Sequence, residues 1–295
     1  MKKIIILFIA AISAWNALRA ADGDLFPYPQ APAELERLDE RCDFIISRFW
    51  RPCDFKSAMS KTEKLRSTFS DWVGLMPYAS VDTVYTAINA LLAKVEKSGP
   101  HTLMLARMAE EYTYSDSSDI KSAEIFLPFA KAAANHKKID GASRAHFREM
   151  AQRIENTMTG KPVEHFNIIT PDGQSLGLGN YRTQLVAIVF NSHDNSDSSL
   201  ARLRLSVDHN IKKLTDRGLL TIVSVEPGKP TPEWLAATAS YPAGWSVGAM
   251  PDAADWFELD SRPTIMLLDS RHRVLAKGLS VEDLMLTMER MAATL

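Results

Sequence analysis

The residues best suited to chemistry in this sequence are two cysteines and one short polar segment. Cys42 and Cys53 are the only cysteines in the 295 residues, and residues 191–199 combine serine, asparagine, aspartate and histidine directly after an apolar run. Paired thiols can form or exchange a disulfide, whereas a histidine beside carboxylates and hydroxyls can bind a metal ion or act as a base. These two groups define the chemistry that the rest of the chain has to position.

Within the polar segment, His193 with Asp194 and Asp197 could hold a metal ion, and the histidine could also serve as a base for Ser198. The spacing matches neither a calcium-binding loop nor a pair of zinc ligands, and no cluster of further ligands follows nearby. The sequence therefore favours a solvated polar loop in which Asp197 or Ser198 caps the next helix. It predicts no metal, no cofactor and no catalytic residue.

The two cysteines allow more than one arrangement. Cys42 lies on an apolar helical stripe, which is typical of a buried thiol that packs as a small hydrophobic residue. A helix from Cys42 to Trp50 carries the chain about 12 Å away, so a turn at Pro52 would have to bring Cys53 back for a disulfide. A disulfide and two free thiols both remain open. Neither cysteine lies in a motif that activates a thiolate, which disfavours a catalytic dithiol.

The first half of the chain has a helical pattern and the second half does not. From residue 35 to residue 158 the apolar positions recur at spacings of three and four, and the stripe over 81–95 is preceded by Ser80 as a helix cap. Near residue 160 the pattern changes to short β-rich runs between turn residues. We therefore expect a helical domain over residues 33–159 and an α/β domain over residues 162–295.

The α/β half contains two runs without polar alternation, residues 185–190 and 219–225, which are typical of fully buried strands. The helix between them predicts that they pair in parallel. Residues 264–268 and 273–276 predict a hairpin, which a last helix follows. The connecting helix has an apolar stripe that we expect to face the core, made of Leu200, Leu203, Val207, Ile211 and Leu214.

The composition is that of a globular protein without a basic surface. Apolar residues make up 46% of the chain, and 34 basic against 36 acidic residues give a net charge of -2. Binding to nucleic acid requires basic residues that neutralise phosphates, so this balance argues against nucleic acid as a partner.

The N-terminus has the features of an export signal. Two lysines precede an apolar run of about a dozen residues, and small residues follow as far as Ala20. Because roughly 20 apolar residues are needed to span a bilayer, cleavage is favoured over anchoring. We expect a signal peptide over residues 1–20 and a periplasmic mature protein that does not span the membrane.

Two parts of the chain resemble known domains. The order of strands and helices, with Arg262 and Pro263 opening the penultimate strand, resembles the thioredoxin-like fold, in which a cis-proline at that position bounds the substrate groove. Residues 28–32, 41–44 and 48–50 resemble a helical domain of unknown function found ahead of thioredoxin-like domains in exported Bacteroidetes proteins. The expected fold class is thus α plus α/β, a helical domain followed by a thioredoxin-like domain.

This resemblance implies a Cys-x-x-Cys motif after the strand that ends at residue 190, where the N-terminus of a helix lowers a thiol pKa. By spacing, Asn195 and Ser198 stand where the two cysteines would, and neither side chain can exchange disulfides. The groove implied by the resemblance comprises Asn195, Ser198, Arg262, Pro263 and Trp245.

Two functions remain open at this point. One is a redox-inactive module that binds a protein or peptide of the cell envelope; the other is a relative of thiol-disulfide oxidoreductases that acts through Cys42 and Cys53 or with a redox-competent partner. The sequence offers no group of residues for a third, a non-redox enzyme on the same fold. Four aromatic residues near the groove either fill the core or form an interaction surface. These are Trp234, Tyr241, Trp245 and Trp256.

Overall fold

The computed structural model describes residues 25–115, 117–259 and 263–293. The signal peptide expected over residues 1–20 lies outside the described residues. By its internal contacts the chain divides into two compact units, Met1–Ala151 and Gln152–Leu295. Within the described ranges, no helix combines the length and the apolar character needed to cross a membrane.

The described part of the first unit is helical, as its periodicity predicted. The helix predicted from the stripe over 81–95 is present as Val81–Val95, and the Ser80 hydroxyl oxygen accepts the Thr83 backbone N–H at 3.4 Å. Gly99 begins the next helix, with Ser98 as its cap. The helices are α1 (Leu38–Arg48), α2 (Phe55–Ala58), α3 (Thr62–Leu75), α4 (Val81–Val95), α5 (Gly99–Thr113), α6 (Ala123–Asn135) and α7 (Gly141–Asn156), the last of which crosses the division between the units.

The second unit is built on a seven-stranded mixed sheet. Its strands are β1 (Asn167–Ile169), β2 (Ser175–Gly177), β3 (Leu185–Phe190), β4 (Leu220–Pro227), β5 (Ser246–Met250), β6 (Thr264–Asp269) and β7 (Val274–Leu279), in the order β2-β1-β5-β4-β3-β6-β7. Its helices are α8 (Ser196–Val207), α9 (His209–Asp216), α10 (Pro232–Thr238), α11 (Ala253–Trp256) and α12 (Val281–Ala292). The predicted parallel pairing of β3 with β4 and the predicted β6–β7 hairpin are both confirmed.

Strand β3 lies at the centre of two cores, which explains its lack of polar residues. Alternate side chains of a strand point to opposite faces of the sheet. Val186, Ile188 and Phe190 belong to a core that includes Phe257, whereas Leu185, Ala187 and Val189 belong to a second core with residues of α8, α9 and α12. All six side chains are buried.

The apolar stripe expected between β3 and β4 is wrong in its first half. Leu200, Leu203 and Val207 are 54%, 59% and 72% exposed, because α8 turns Ala201, Arg202 and Leu205 toward the protein instead. The single helix expected there is two helices, since Asp208 leaves the helical conformation and its carboxylate accepts the Ile211 backbone N–H at 2.8 Å. Ile211 and Leu214 are buried as expected.

Strand β5 was not expected from the sequence. It pairs in parallel with β4 inside a region that appeared loop-rich, and it contains Gly248. A Cβ at position 248 would lie 2.7 Å from Cβ of Ile168, so only glycine allows β1 and β5 to approach this closely.

Candidate functional site

The loop between β3 and α8 leads to Asn195 and Ser198, the two residues that the resemblance places at the cysteine positions. Asn195 is the cap of α8, and its Oδ1 accepts the Ser198 backbone N–H at 2.9 Å. Ser198 is buried, and its Oγ accepts the Ser192 backbone N–H at 3.1 Å. The cap is therefore Asn195 and not Asp197 or Ser198, and both residues at the cysteine positions use their polar atoms to hold the loop.

Behind this loop lies a buried cation. Arg202, on the inward face of α8, is 8% exposed. Its guanidinium donates to Asn191 Oδ1 at 2.5 Å, to the Ser192 carbonyl at 3.2 Å and to Ser199 Oγ at 2.9 Å. Its Cζ also lies 4.4 Å from the ring centroid of Tyr241, a cation–π arrangement. The charge is thus held by neutral acceptors and an aromatic face.

Asn191 links this cation to the sheet. Its Nδ2 donates to the Val189 carbonyl at 2.7 Å and to Ser224 Oγ on β4 at 2.9 Å, while its Oδ1 receives Arg202. The side chain is buried and uses both ends of its amide. The end of β3 is therefore fixed to its parallel neighbour by side chains as well as by the strand pairing.

Glu226 of β4 organises the other side of the loop. This buried carboxylate accepts the His193 backbone N–H and the His193 ring Nδ1–H, both at 2.9 Å, and lies 3.1 Å from Ser192 Oγ. In the uncharged form of the ring, donation of the Nδ1–H to the carboxylate leaves the lone pair on Nε2. The His193 side chain is 21% exposed, so the ring can accept a hydrogen bond from a bound group.

Tyr241 closes the cluster with a hydroxyl that makes no hydrogen bond to the described residues, although its oxygen is buried. Burial raises the pKa of this hydroxyl, Arg202 opposes that rise, and Glu226 adds to it. The phenol therefore stays protonated at neutral pH and holds an unused donor beside the loop. We call Asn191, His193, Arg202, Glu226 and Tyr241 the polar cluster.

The other predicted groove residues lie at different levels of the sheet. Pro263 directly precedes β6, whose Thr264 pairs with Phe190, so Pro263 lies at the same end of the sheet as the β3–α8 loop. Trp245 precedes β5 at the level of Ile222, about three residues or ~10 Å from that end, and packs against the core beneath α8. Arg262 lies outside the described residues.

Two residues of the polar cluster, Arg202 and Glu226, were not predicted from the sequence. Arg202 lies within a run of apolar helix positions, and Glu226 ends an apolar strand. A charged residue at either place could have indicated a buried polar site, because charged side chains are seldom buried without partners. Their pairing with residues of the β3–α8 loop could not be read from spacing, since they are 10 to 34 positions away from their partners.

The two cysteines lie in the helical unit as free, buried thiols. Burial raises the pKa of Cys42, and it raises the pKa of Cys53 to about 11 despite the opposing effect of Lys94. Both thiols are therefore protonated near neutral pH, which is the unreactive form. Among the described residues, no group of three or more His, Cys, Asp or Glu side chains could hold a metal ion.

Comparison with known proteins gives a match to a protein family and a match to a solved structure that covers most of the chain. Residues 11–157 match the family described as Domain of unknown function (DUF5106). A solved thioredoxin-like protein from Bacteroides caccae superposes with a TM-score of 0.78 at 16% identity, over 91% of this chain and 99% of its own. No curated protein matches the chain.

Two shorter solved structures also match. The thioredoxin domain of a thiol-disulfide oxidoreductase from Bacteroides vulgatus is 21% identical, with a TM-score of 0.40 over 46% of this chain and 98% of its own. A conserved protein of unknown function from Bacteroides fragilis is 24% identical, with a TM-score of 0.43 over 44% of this chain and 98% of its own.

The longer superposition confirms the fold class that the order of elements predicted, and the family match confirms the resemblance of the first half to a helical domain of unknown function. This chain carries a helical region that matches DUF5106, followed by a domain with the thioredoxin-like fold.

Proposed function

We propose that this protein is a redox-inactive thioredoxin-like binding module of the cell envelope, and that its partner is a protein or peptide. The proposal depends on what stands at the start of α8. There, the positions of a dithiol are occupied by a helix cap and a buried serine, and the helix exposes three apolar side chains. The first feature removes thiol exchange and the second favours binding.

The observation that carries the binding role is the exposed stripe of α8. Leu200, Leu203 and Val207 follow one another at spacings of three and four, so they share one side of the helix, and more than half of each side chain is exposed. Contiguous exposed apolar side chains next to polar groups are typical of interaction surfaces. We call these three residues the α8 stripe.

A partner that extends from the α8 stripe past the N-terminus of α8 would meet the His193 ring, whose side chain is 21% exposed. Because Nδ1 is engaged with Glu226, Nε2 is the ring nitrogen that such a partner would meet. A peptide backbone has one donor per residue, so one of its N–H groups could bond to this nitrogen. Apolar contact and a few polar groups together match the usual composition of a binding surface.

The alternative, a thiol redox protein that uses Cys42 and Cys53, has less support. Both thiols are buried and free, and burial holds the pKa of Cys53 at about 11. A thiol of that pKa contributes almost no thiolate at neutral pH, and the thiolate is the attacking species. A redox role would require the helical unit to open.

The envelope location is part of the same proposal and depends on the export signal expected over residues 1–20. Fractionation of cells that express the chain with a C-terminal tag would test it. We expect the tagged protein in the periplasmic fraction, shortened by about 20 residues by mass spectrometry. Full-length protein in the cytoplasm or membrane fraction would contradict this part of the proposal.

Affinity purification from the native envelope tests the binding role. We expect a partner that is retained equally with and without reductant and that persists after Cys42→Ser with Cys53→Ser. Leu203→Glu should release it, since a charge in the α8 stripe must be desolvated on binding. Leu286→Glu is the matched control, because Leu286 is a half-exposed leucine on α12.

Two results would overturn the proposal. One is a partner found only as a reducible adduct and lost in the double serine variant, which would restore a redox role. The other is equal retention by Leu203→Glu and the wild type, with unchanged thermal unfolding, which would remove the α8 stripe from the interface.

A further inference from the structure

The helical unit contains an open cavity between α4, α5 and α6. Its volume is about 360 Å³, and its apolar lining is Leu92 and Ala93 of α4 with Ala132 of α6. Cavities of about 300–1,000 Å³ are the size that holds small molecules. None of the residues that line it belongs to the polar cluster or to the α8 stripe, so a ligand here is independent of the proposed function.

Three polar side chains that line the cavity are exposed, so a molecule in it can reach them. They are the amides of Asn89 and Asn135 and the carboxylate of Glu96, and none of them makes a hydrogen bond or an ion pair with the described residues. Each amide offers two N–H donors and one acceptor oxygen, whereas the carboxylate only accepts. A ligand that bonds to all three must therefore both donate and accept hydrogen bonds.

The His136 ring also lines the cavity, and the backbone holds it in place. Its Nδ1 accepts the Lys138 backbone N–H at 3.1 Å, which places the ring proton on Nε2, and the Nε2–H donates to the Glu96 carbonyl at 2.8 Å. Because both ring nitrogens are already used, the ring offers a ligand its carbon atoms only. A ring that is already fixed loses little side-chain entropy when a ligand packs against it.

The charges at the cavity disfavour an ionic ligand of either sign. The Glu96 carboxylate lines it and repels an anion. The exposed Lys97 directly follows Glu96 in the chain, and the exposed Lys137 and Lys138 directly follow His136, so three ammonium groups flank the cavity and repel a cation. The Lys138 ammonium donates to the Lys97 carbonyl, a neutral acceptor that leaves its charge in place. The ligand that fits these charges has none of its own.

From the three accessible polar side chains, the apolar lining and this charge balance, we infer that the cavity binds a small uncharged ring compound with several hydroxyl groups, the chemistry of a monosaccharide. A hydroxyl donates one hydrogen bond and accepts others, so it can bond to Asn89, Glu96 and Asn135 alike. The C–H surface of the ring packs against the apolar lining and the His136 ring. Methyl α-D-glucopyranoside is the probe, and for an open cavity we expect a Kd on the order of 10 mM.

Side-chain NMR signals of the full chain labelled with ¹⁵N-asparagine give a direct test. Loss of one NH₂ pair in Asn89→Gln and of another in Asn135→Gln assigns the two cavity amides. Methyl α-D-glucopyranoside should shift both pairs saturably and leave that of Asn210, in the second unit, in place. Three analogues should each bind about fivefold more weakly: methyl α-D-glucuronide, which adds a carboxylate, glucosamine, which adds an ammonium, and tetrahydropyran-2-methanol, which lacks the ring hydroxyls.

Ala93→Trp should weaken binding of the glucoside at least about fivefold, because the indole fills the cavity. Ala90→Trp is the matched control, since Ala90 is also an exposed alanine of α4 but does not line the cavity, and it should bind as the wild type does. Asn135→Asp, which removes two donors with little change of shape, should weaken binding about fivefold as well.

Three results would overturn the inference. One is that neither amide signal moves at about 100 mM glucoside, ten times the expected Kd. Another is that Ala93→Trp and Ala90→Trp bind the glucoside equally well. The third is that a charged analogue, or the analogue without ring hydroxyls, binds as tightly as the glucoside.

Discussion

At the scale of single residues, Arg202 shows how the second unit accommodates a buried charge. It is buried on an inward helix face, and neutral acceptors and the Tyr241 ring compensate its charge. Hydrogen bonds from a charged donor contribute more than neutral ones, and removal of the donor leaves their acceptors unsatisfied. The residue at the centre of the polar cluster is therefore a structural cation.

Replacement of Arg202 by methionine should lower the free energy of unfolding by about 1–3 kcal/mol, because Asn191 Oδ1 and the Ser192 carbonyl lose their donor. Urea unfolding followed by circular dichroism measures this loss. Arg204→Met is the control on the same helix, where an exposed ion pair with Glu282 should contribute less than about 1 kcal/mol. Equal losses of unfolding free energy in the two variants would show that the buried contacts of Arg202 stabilise the fold no more than the exposed ion pair of Arg204 does.

The cysteines allow a second prediction at this scale. Burial raises the pKa of Cys42, and that of Cys53 to about 11, so neither should react with iodoacetamide in the folded protein at pH 8. Both should react once the chain is unfolded in urea, which mass spectrometry of the alkylated protein would show. Because the folded state holds these protons more tightly, the thiols stabilise it at neutral pH, and this contribution falls as pH rises from about 9 toward 11. Rapid alkylation of either thiol in the native protein would contradict the prediction.

At the scale of elements, the β6–β7 hairpin shows how one side chain can set a turn. Asp269 Oδ1 accepts the backbone N–H groups of Arg271 and Arg273 at 2.8 and 2.9 Å, and Oδ2 accepts the Arg273 Nε–H at 2.9 Å. His272 takes a positive φ of 56° within the turn, a conformation that histidine tolerates better than most residues. The sequence predicted this hairpin because its turn residues lie between two apolar runs.

The hairpin gives a prediction about pH. The backbone N–H of Arg273 contributes most to lowering the pKa of Asp269 below its ordinary value of 3.8. A carboxylate with a lowered pKa stabilises the folded state above its ordinary pKa, and this contribution is lost as pH falls through the folded value. Asp269→Asn should therefore cost about 1 kcal/mol at pH 7, and the difference from the wild type should shrink below about pH 4. Urea unfolding at a series of pH values measures both; a difference that is constant from pH 7 to pH 3 would refute the assignment.

At the scale of the whole molecule, the sequence pattern and the compact units place the boundary between the two units at different residues. The change of sequence pattern predicts a second domain that begins at residue 162, whereas the compact units divide after Ala151. Within the second unit, the buried Thr157, which directly follows α7, has its hydroxyl 3.2 Å from Glu258 Oε2. The same carboxylate accepts the Lys277 ammonium at 2.8 Å.

A fragment of residues 152–295 should therefore be more stable than a fragment of residues 162–295, by about 1–2 kcal/mol. Removal of residues 152–161 takes one donor from Glu258 and exposes the surface that Thr157 covers. Chemical unfolding of the two fragments under the same conditions measures the difference. Equal stability would place the domain boundary where the sequence pattern changes.

The sequence by itself determined the elements whose information is local. Strand β3 and helix α4 were predicted with their observed bounds, because an unbroken apolar run and a serine before a helical stripe are signals within a few residues. The lack of any cysteine after residue 53 is equally local, since a side chain without a thiol cannot exchange disulfides wherever it lies. These features needed no knowledge of the fold beyond the order of the elements.

Only the tertiary structure decided which side of α8 faces inward, and this changed the candidate site. Periodicity assigned Leu200, Leu203 and Val207 to the core, but Arg202 lies on the inward face, where Asn191, directly after β3 and 11 positions away, accepts its hydrogen bond. Strand β5 was hidden for a similar reason, since it pairs with the distant β4 and its close approach to β1 depends on Gly248. Pairing between distant residues leaves no pattern along the chain, so the polar cluster is a property of the folded molecule.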